Sequence, residues 1–317
     1  MRITNAMLVA NFGNSLNKNT SKLDKLQTQV ATQKKNFRAS DDSIAAGKSM
    51  RIRTSLSKVE QYTNNVIEAQ EWMGQTESSL DEMNSLLSRI YEQADKGANG
   101  TNGAEERIAI ANEVEQLTQQ ILVAANTSFS GRYVFGGANT TQKPFEVKDV
   151  SGESVLFYNE NNVNDLSQPA NAATLESLSS QSLNYQLGLG ANMDISFNGI
   201  DVMGFGDNNM FAILNNLKNA LENNDSEGIS ASIDLVQGKQ EKVLSLLGEV
   251  GGKSNRLDFF TSRLETDEYN YKTMLSQVDG IEVEKSIMEL KMQEMVFEAA
   301  MSVGSKIISK TLVDFIG

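Results

Sequence analysis

The chain has 317 residues, two prolines, no histidine, no cysteine and a formal net charge of −13. Without histidine and cysteine it cannot build a Ser-His-Asp or Cys-His catalytic arrangement, a thiolate metal site or a disulfide, so its stability rests on packing. The negative charge opposes binding to nucleic acid or anionic membranes, which is carried by Lys and Arg, and no run of about eighteen apolar residues is present to span a bilayer.

Residues 1–14 hold one Arg and apolar residues interrupted by Asn and Thr, not the continuous apolar core of a cleavable leader. Export would therefore use a route that does not read a Sec signal. Onward to residue 37, apolar side chains recur at sevens: Val9, Leu16, Leu23, Val30 and Phe37, with Phe12 and Leu26 at the complementary position. Asn19 and Gln33 interrupt that second position, so the spacing predicts a helix that needs a partner.

Ser40, Asp41 and Asp42 supply capping oxygens for a second helix. Its seam is Ile52, Val59, Val66, Met73, Leu80, Leu87 and Ala94, with Tyr62, Ala69, Met83 and Ile90 three residues on, and Gly97 is read as its stop. About 55 residues at ~1.5 Å each give roughly 80 Å, against about 50 Å for a compact globule of this length, which predicts a rod. After a polar turn at 99–103, Glu105 and Glu106 open a helix with Ile110, Val114, Leu117, Ile121 and Ala124 on one face, folding back antiparallel.

The period changes beyond Arg132. The runs 145–150 and 155–158 around Ser151-Gly152 predict one hairpin, and 193–197 with 200–202 around Asn198-Gly199 predict a second. Gly188-Leu189-Gly190 lacks the third glycine of a dinucleotide fingerprint and is read as a loop. Helical spacing returns at Phe211, Leu214, Leu217 and Leu221, then at Ile229, Ile233, Val236, Val243 and Leu247. Gly251-Gly252 is read as a break, followed by a seam of Leu257, Phe260, Leu264, Tyr271, Met274, Val278 and Ile281. Met288, Met292, Met295, Ala299, Val303 and Ile307 continue it less regularly.

The expected fold is therefore mainly α: an elongated helical rod with antiparallel coiled-coil terminal helices and a small inserted β-rich domain. The expected domains are a terminal coiled-coil layer from 1–40 with 281–317, a helical rod from 41–137 with 205–280, and an outer β-rich domain at 138–204. Val9, Phe12, Leu16, Leu23, Leu26, Val30, Met288, Met292, Met295, Val303 and Ile307 are assigned to intersubunit assembly, and Ile52, Val59, Val66, Met73, Leu80 and Leu87 to the rod core. Two incomplete apolar stripes at opposite chain ends would cover each other or the same stripes of neighbouring copies.

Chemistry is sparse. Ser15 and Lys18 match the Ser-x-x-Lys spacing of acylating hydrolases without companion motifs. The stretch 223–228 begins with Asn and lacks the closing Glu of a calcium loop. Lys34, Lys35, Arg38, Lys48, Arg51 and Arg53 form a basic patch, read as a solvated helix face or a complement to acidic neighbours. No catalytic residue, cofactor or metal site is assigned.

Several motifs together resemble the bacterial flagellin family. They are Arg38-Ala39-Ser40-Asp41-Asp42 followed by Ala45 and Arg51, the stretch ANTSFSGRYVFGG at 125–137 with Pro144-Phe145, GGKSNRL at 251–257, and IISKTLVDFI at 307–316. The opening MRITNAM is similar to that of the members that join hook to filament, and the likeness covers roughly 1–145 and 240–317. Gln33 and Ser43 depart from the Gly and Pro usual at those places. The resemblance implies a non-enzymatic extracellular subunit of the flagellum, exported unfolded through the flagellar type III apparatus with a cytosolic chaperone on its C-terminal helix. It also implies self-assembly into a ring or tube between a hook-side junction protein and flagellin or the filament cap, with no nucleic acid and no membrane insertion. A filament subunit proper and a secreted rod-shaped coiled-coil protein are the rival readings.

Overall fold

The computed structural model describes residues 5–36, 38–99, 103–137, 139–150, 153–164, 177–178 and 182–316, excepting the side chains of 5, 6, 207 and 307–316. The described chain is mainly α, with small antiparallel sheets between the helices. Helices α1 (Asn5–Thr32), α2 (Ser43–Ala98) and α3 (Ala104–Ala125) come first. Strands β1 (Ser128–Phe129), β2 (Arg132–Tyr133), β3 (Phe145–Val150), β4 (Glu153–Tyr158), β5 (Asn161–Asn162), β6 (Asn184–Gly188) and β7 (Ala191–Asp194) follow. Then come α4 (Gly199–Met203), a 3-10 turn at Gly206–Asn208, α5 (Met210–Glu222), α6 (Ser226–Asp279) and α7 (Val283–Ile316). Contacts divide the chain into one unit of Met1–Glu60 with Glu265–Gly317 and another of Gln61–Leu264.

In the second unit the seam of α2 is the core: Val66, Met73, Leu80 and Leu87 are buried, with Ala69, Met83, Ile90 and Ala94 beside them. Helix α3 lies antiparallel to it. Ser79 Oγ donates to Ala124 O at 2.7 Å, while Arg89 Nη2 donates to Glu113 Oε1 at 2.7 Å and Gln93 Nε2 to Glu113 Oε2 at 2.9 Å. The Arg89 hydrogen bond is the main reason the Glu113 carboxyl is held below its ordinary pKa. On another side α6 runs antiparallel, with Gln70 Nε2 donating to Asp258 Oδ1 at 2.8 Å and Gln240 Nε2 to Ser88 Oγ at 2.7 Å.

Helix α2 starts as its capping residues predict: Asp42 Oδ1 accepts from Ile44 N at 3.1 Å and Ala45 N at 2.9 Å. Its end differs from the expectation. Gly97 lies inside the helix and is buried. A Cβ there would stand 2.5 Å from Leu221 Cδ2, so this glycine admits α5, and the helix ends at the next residue, Ala98.

Gly251-Gly252 likewise does not break the chain, because α6 runs through both. Ile229, Val236, Val243, Val250, Leu257 and Leu264 are buried at a strict seven-residue spacing across the glycine pair. Packing of that stripe outweighs the ~1 kcal/mol that each glycine costs a helix.

The first predicted hairpin is present as β3 and β4, paired Phe145 with Tyr158 through Val150 with Glu153. The second lies elsewhere. It joins β6 to β7 through Leu189 and Gly190, where Gly190 has φ of +72°. The segment read as a loop is thus the turn. Asn198 and Gly199, expected to be the turn, instead lead into α4, because Gly199 is where the rings of Phe145 and Tyr158 approach the backbone too closely for any Cβ. Tyr158 is buried there, donates its hydroxyl to Phe135 O at 3.0 Å, and has its pKa pushed up to about 12 by burial.

Candidate assembly site on the terminal helices

In the first unit α1 and α7 run antiparallel: Asn19 meets Gln293, Phe12 meets Gly304, and Lys34 bridges to Gly280. Gln293 Nε2 reaches Asn19 Oδ1 at 3.4 Å and Asn19 O at 3.5 Å, and Gln293 is itself buried. The polar interruption of the N-terminal stripe therefore has a polar partner on the other helix. Gln33 leaves the helix with φ of +55°, and Lys35 N donates to Asp279 O at 2.8 Å. The carboxylate of Asp279 receives Arg53 Nη2 at 2.6 Å and Ser49 Oγ at 3.4 Å, tying the start of α2 to the end of α6. Arg53 of the basic patch is thus engaged within the unit. Ile52 is half-buried and Val59 buried on the same stretch of α2.

The N-terminal stripe is partly covered by α7. Leu26 is buried, Phe12, Leu16, Leu23 and Val30 are half-buried, and Val9 is exposed. The C-terminal stripe is not: Met288 is 65%, Met292 57%, Met295 63% and Val303 54% exposed. Ile307 belongs to α7, but its side chain, like residue 37, lies outside the described residues.

Two faces of α7 explain the difference. At about 100° per residue, Gln293, Phe297, Ala300 and Gly304 form one face, which turns to α1, while Met288, Met292, Met295 and Val303 lie roughly 120° around the helix. Gln293 and Gly304 are buried and Phe297 and Ala300 half-buried. The sequence reading found the methionine stripe and missed the face used inside the chain. Its signal was present: the small residues Ala300 and Gly304, four apart, let a ring approach, and Gln293 stands level with Asn19.

Elsewhere the polar residues are used locally. Ser15 and Lys18 are both exposed on α1. In the cleft lined by Asp194, Asp201, Lys242, Glu249 and Lys253, Asp194 Oδ1 accepts from Ser196 Oγ at 2.7 Å and Ser196 N at 2.9 Å. Lys253 Nζ pairs with Glu249 at 3.0 Å and lies 4.3 Å from the centre of the Phe197 ring. Burial raises the Asp201 pKa, opposed by Lys242. Among the described residues no group of three or more acidic, His or Cys side chains is placed to hold a metal ion, and no helix is long and apolar enough to cross a membrane.

The paired terminal helices, the long α2 seam and the small inserted sheets make up a mainly helical fold. Residues 3–140 match the family model of the bacterial flagellin N-terminal helical region. The chain is similar to "Flagellar hook-associated protein 3" of Escherichia coli (strain K12), 27% identical over 146 residues, which are 46% of each chain. The match thus spans a little under half the length of that relative. Similarity to flagellin FlaB1 of Treponema pallidum (strain Nichols) is lower, 22% over 258 residues, but extends over 80% of this chain and 77% of that one. Among solved structures, a flagellar hook-associated protein from Vibrio parahaemolyticus shares the fold with a TM-score of 0.64 at 20% identity, over 76% of this chain and 100% of that one.

Proposed function

We propose that this chain is a structural subunit of the bacterial flagellum that joins hook to filament, with no catalytic activity of its own. The observation that carries this reading is the second apolar face of α7, where Met288, Met292, Met295 and Val303 stand exposed although another face of the same helix is already packed on α1. A helix that is apolar on two sides gains its second cover from another molecule. In a ring or tube of identical copies, the same stripe recurs on every subunit and can be buried against a neighbour. The similarity to a hook-associated protein gives the stripe its setting.

In this reading 1–40 with 281–317 form the assembling layer, 41–137 with 205–280 a helical support built on the α2 seam, and 138–204 an outward β-rich domain. Val9, Phe12, Leu16, Leu23, Val30 and Ile307 assist the methionine stripe, while Leu26, already buried within its own unit, supports the helix that carries them. The partners are a hook-side junction protein below and flagellin or the filament cap above. A cytosolic chaperone shields the apolar C-terminal helix before export by the flagellar type III route, and the working location is extracellular.

Similarity to a flagellin over 80% of the chain supports a second reading, a filament subunit proper. The two differ in outcome. A junction subunit localises to one narrow zone of isolated flagella, and cells lacking it keep hooks but shed flagellin. A filament subunit labels the whole filament and polymerises alone into long filaments. Tagging the chain and imaging isolated flagella decides between them, and a tag absent from flagella contradicts both.

A further inference from the structure

We infer that Met288, Met292 and Met295 form an oxidation-sensitive site whose conversion to sulfoxides blocks assembly. The inference rests on the proposed role of the stripe and adds a chemical control to it. The chain has 13 methionines and no cysteine, so no thiol competes for a two-electron oxidant. Met73, Met83, Met193, Met203 and Met210 are buried and shielded. Met7, Met50, Met274 and Met301 are exposed singly, away from the stripe, whereas Met288, Met292 and Met295 present three thioethers on successive turns of one face.

The oxidant class is a hypohalous acid. A lone pair on the methionine sulfur attacks the chlorine of hypochlorous acid, forming the S–Cl bond as the O–Cl bond breaks and hydroxide leaves. Water then attacks the sulfur, the S–O bond forms, the S–Cl bond breaks, and chloride and two protons are released, one of which neutralises the hydroxide. Sulfur loses two electrons and chlorine gains them. The product is a polar sulfoxide where the interface requires an apolar group. Burying each sulfoxide without a hydrogen-bond donor weakens association by about tenfold. Reduction of the sulfoxides restores the thioethers, so the block is reversible.

The test treats the full chain with rising amounts of hypochlorite, locates the added oxygens by peptide mass spectrometry, and measures its assembly onto isolated hook ends. The expected result is that the three stripe methionines are oxidised while the five buried ones stay intact, and that assembly falls in step. The variant carrying Met288→Leu, Met292→Leu and Met295→Leu is compared with its own untreated sample, at whatever level that sample assembles, and is expected to lose none of it after the same dose. Sulfoxide reductases are expected to restore assembly of the oxidised parent chain. These positions are exposed, so the leucines leave the fold intact, which circular dichroism verifies. Oxidised chain that assembles as well as untreated chain overturns the inference alone. So does a leucine variant that loses assembly on oxidation, because other sulfurs then carry the effect. Untreated chain that fails to assemble at all overturns the proposed role of the stripe, and this inference with it.

Discussion

Phe12 of α1 lies against Gly304 of α7 so closely that a Cβ on Gly304 would run into the Phe12 ring. This contact fixes which face of α7 turns toward α1, and hence which face is left over. Replacing Gly304 with Val should force the ring aside and weaken the helix pair by about 1–3 kcal/mol, the usual cost of overpacking. Faster amide exchange along α1 would report it. Adding Phe12→Ala to Gly304→Val should recover part of the loss, and a strictly additive double variant would show that the two residues do not meet.

Leu80 stands at the centre of the α2 seam and is fully buried. Leu80→Asp puts a carboxylate with no partner into that core and should destabilise the Gln61–Leu264 unit by ~4 kcal/mol or more. A denaturant midpoint unchanged from the parent protein would contradict the buried position.

Tyr158 gives the β3–β4 hairpin a pH dependence of definite sign. Its folded pKa is raised from 10.0 to about 12, so above pH ~10 the unfolded chain ionises first and is favoured. The stability tied to this phenol is intact below pH 10 and is lost between pH 10 and 12. Tyr158→Phe should cost about 1 kcal/mol at neutral pH through the missing hydrogen bond to Phe135 O. It should also flatten the alkaline decline, which thermal melts from pH 8 to about 11.5 would reveal. An equal decline in both proteins would assign it to another group.

Much of the helical framework was legible because burial repeats at sevens over many turns, as from Ile52 to Ala94, and few alternatives satisfy so long a pattern. The local punctuation was not. Gly97 and Gly199 look like stops and turns in sequence, yet both serve close approach by distant side chains, Leu221 in one case and Phe145 with Tyr158 in the other. Gly251-Gly252 was overruled by a stripe running from Ile229 to Leu264 whose register crosses the pair unbroken. At the candidate site the methionine stripe could be read directly, being regular and apolar. The covered face of α7 was harder to read, since Gln293, Phe297, Ala300 and Gly304 mix polar, aromatic and small residues, and their one signal, the small pair Ala300 and Gly304, gains its meaning only opposite Asn19 and Phe12.

The central claim is that the exposed stripe of α7 becomes covered when copies come together. Since the chain has no cysteine, a single Met292→Cys variant carries one addressable thiol. Its rate of alkylation should be fast in the dispersed chain and strongly suppressed in assembled junctions, while Leu189→Cys on the β6–β7 turn should react alike in both. A Met292→Cys thiol that reacts as quickly in the assembly as in the free subunit would contradict the account.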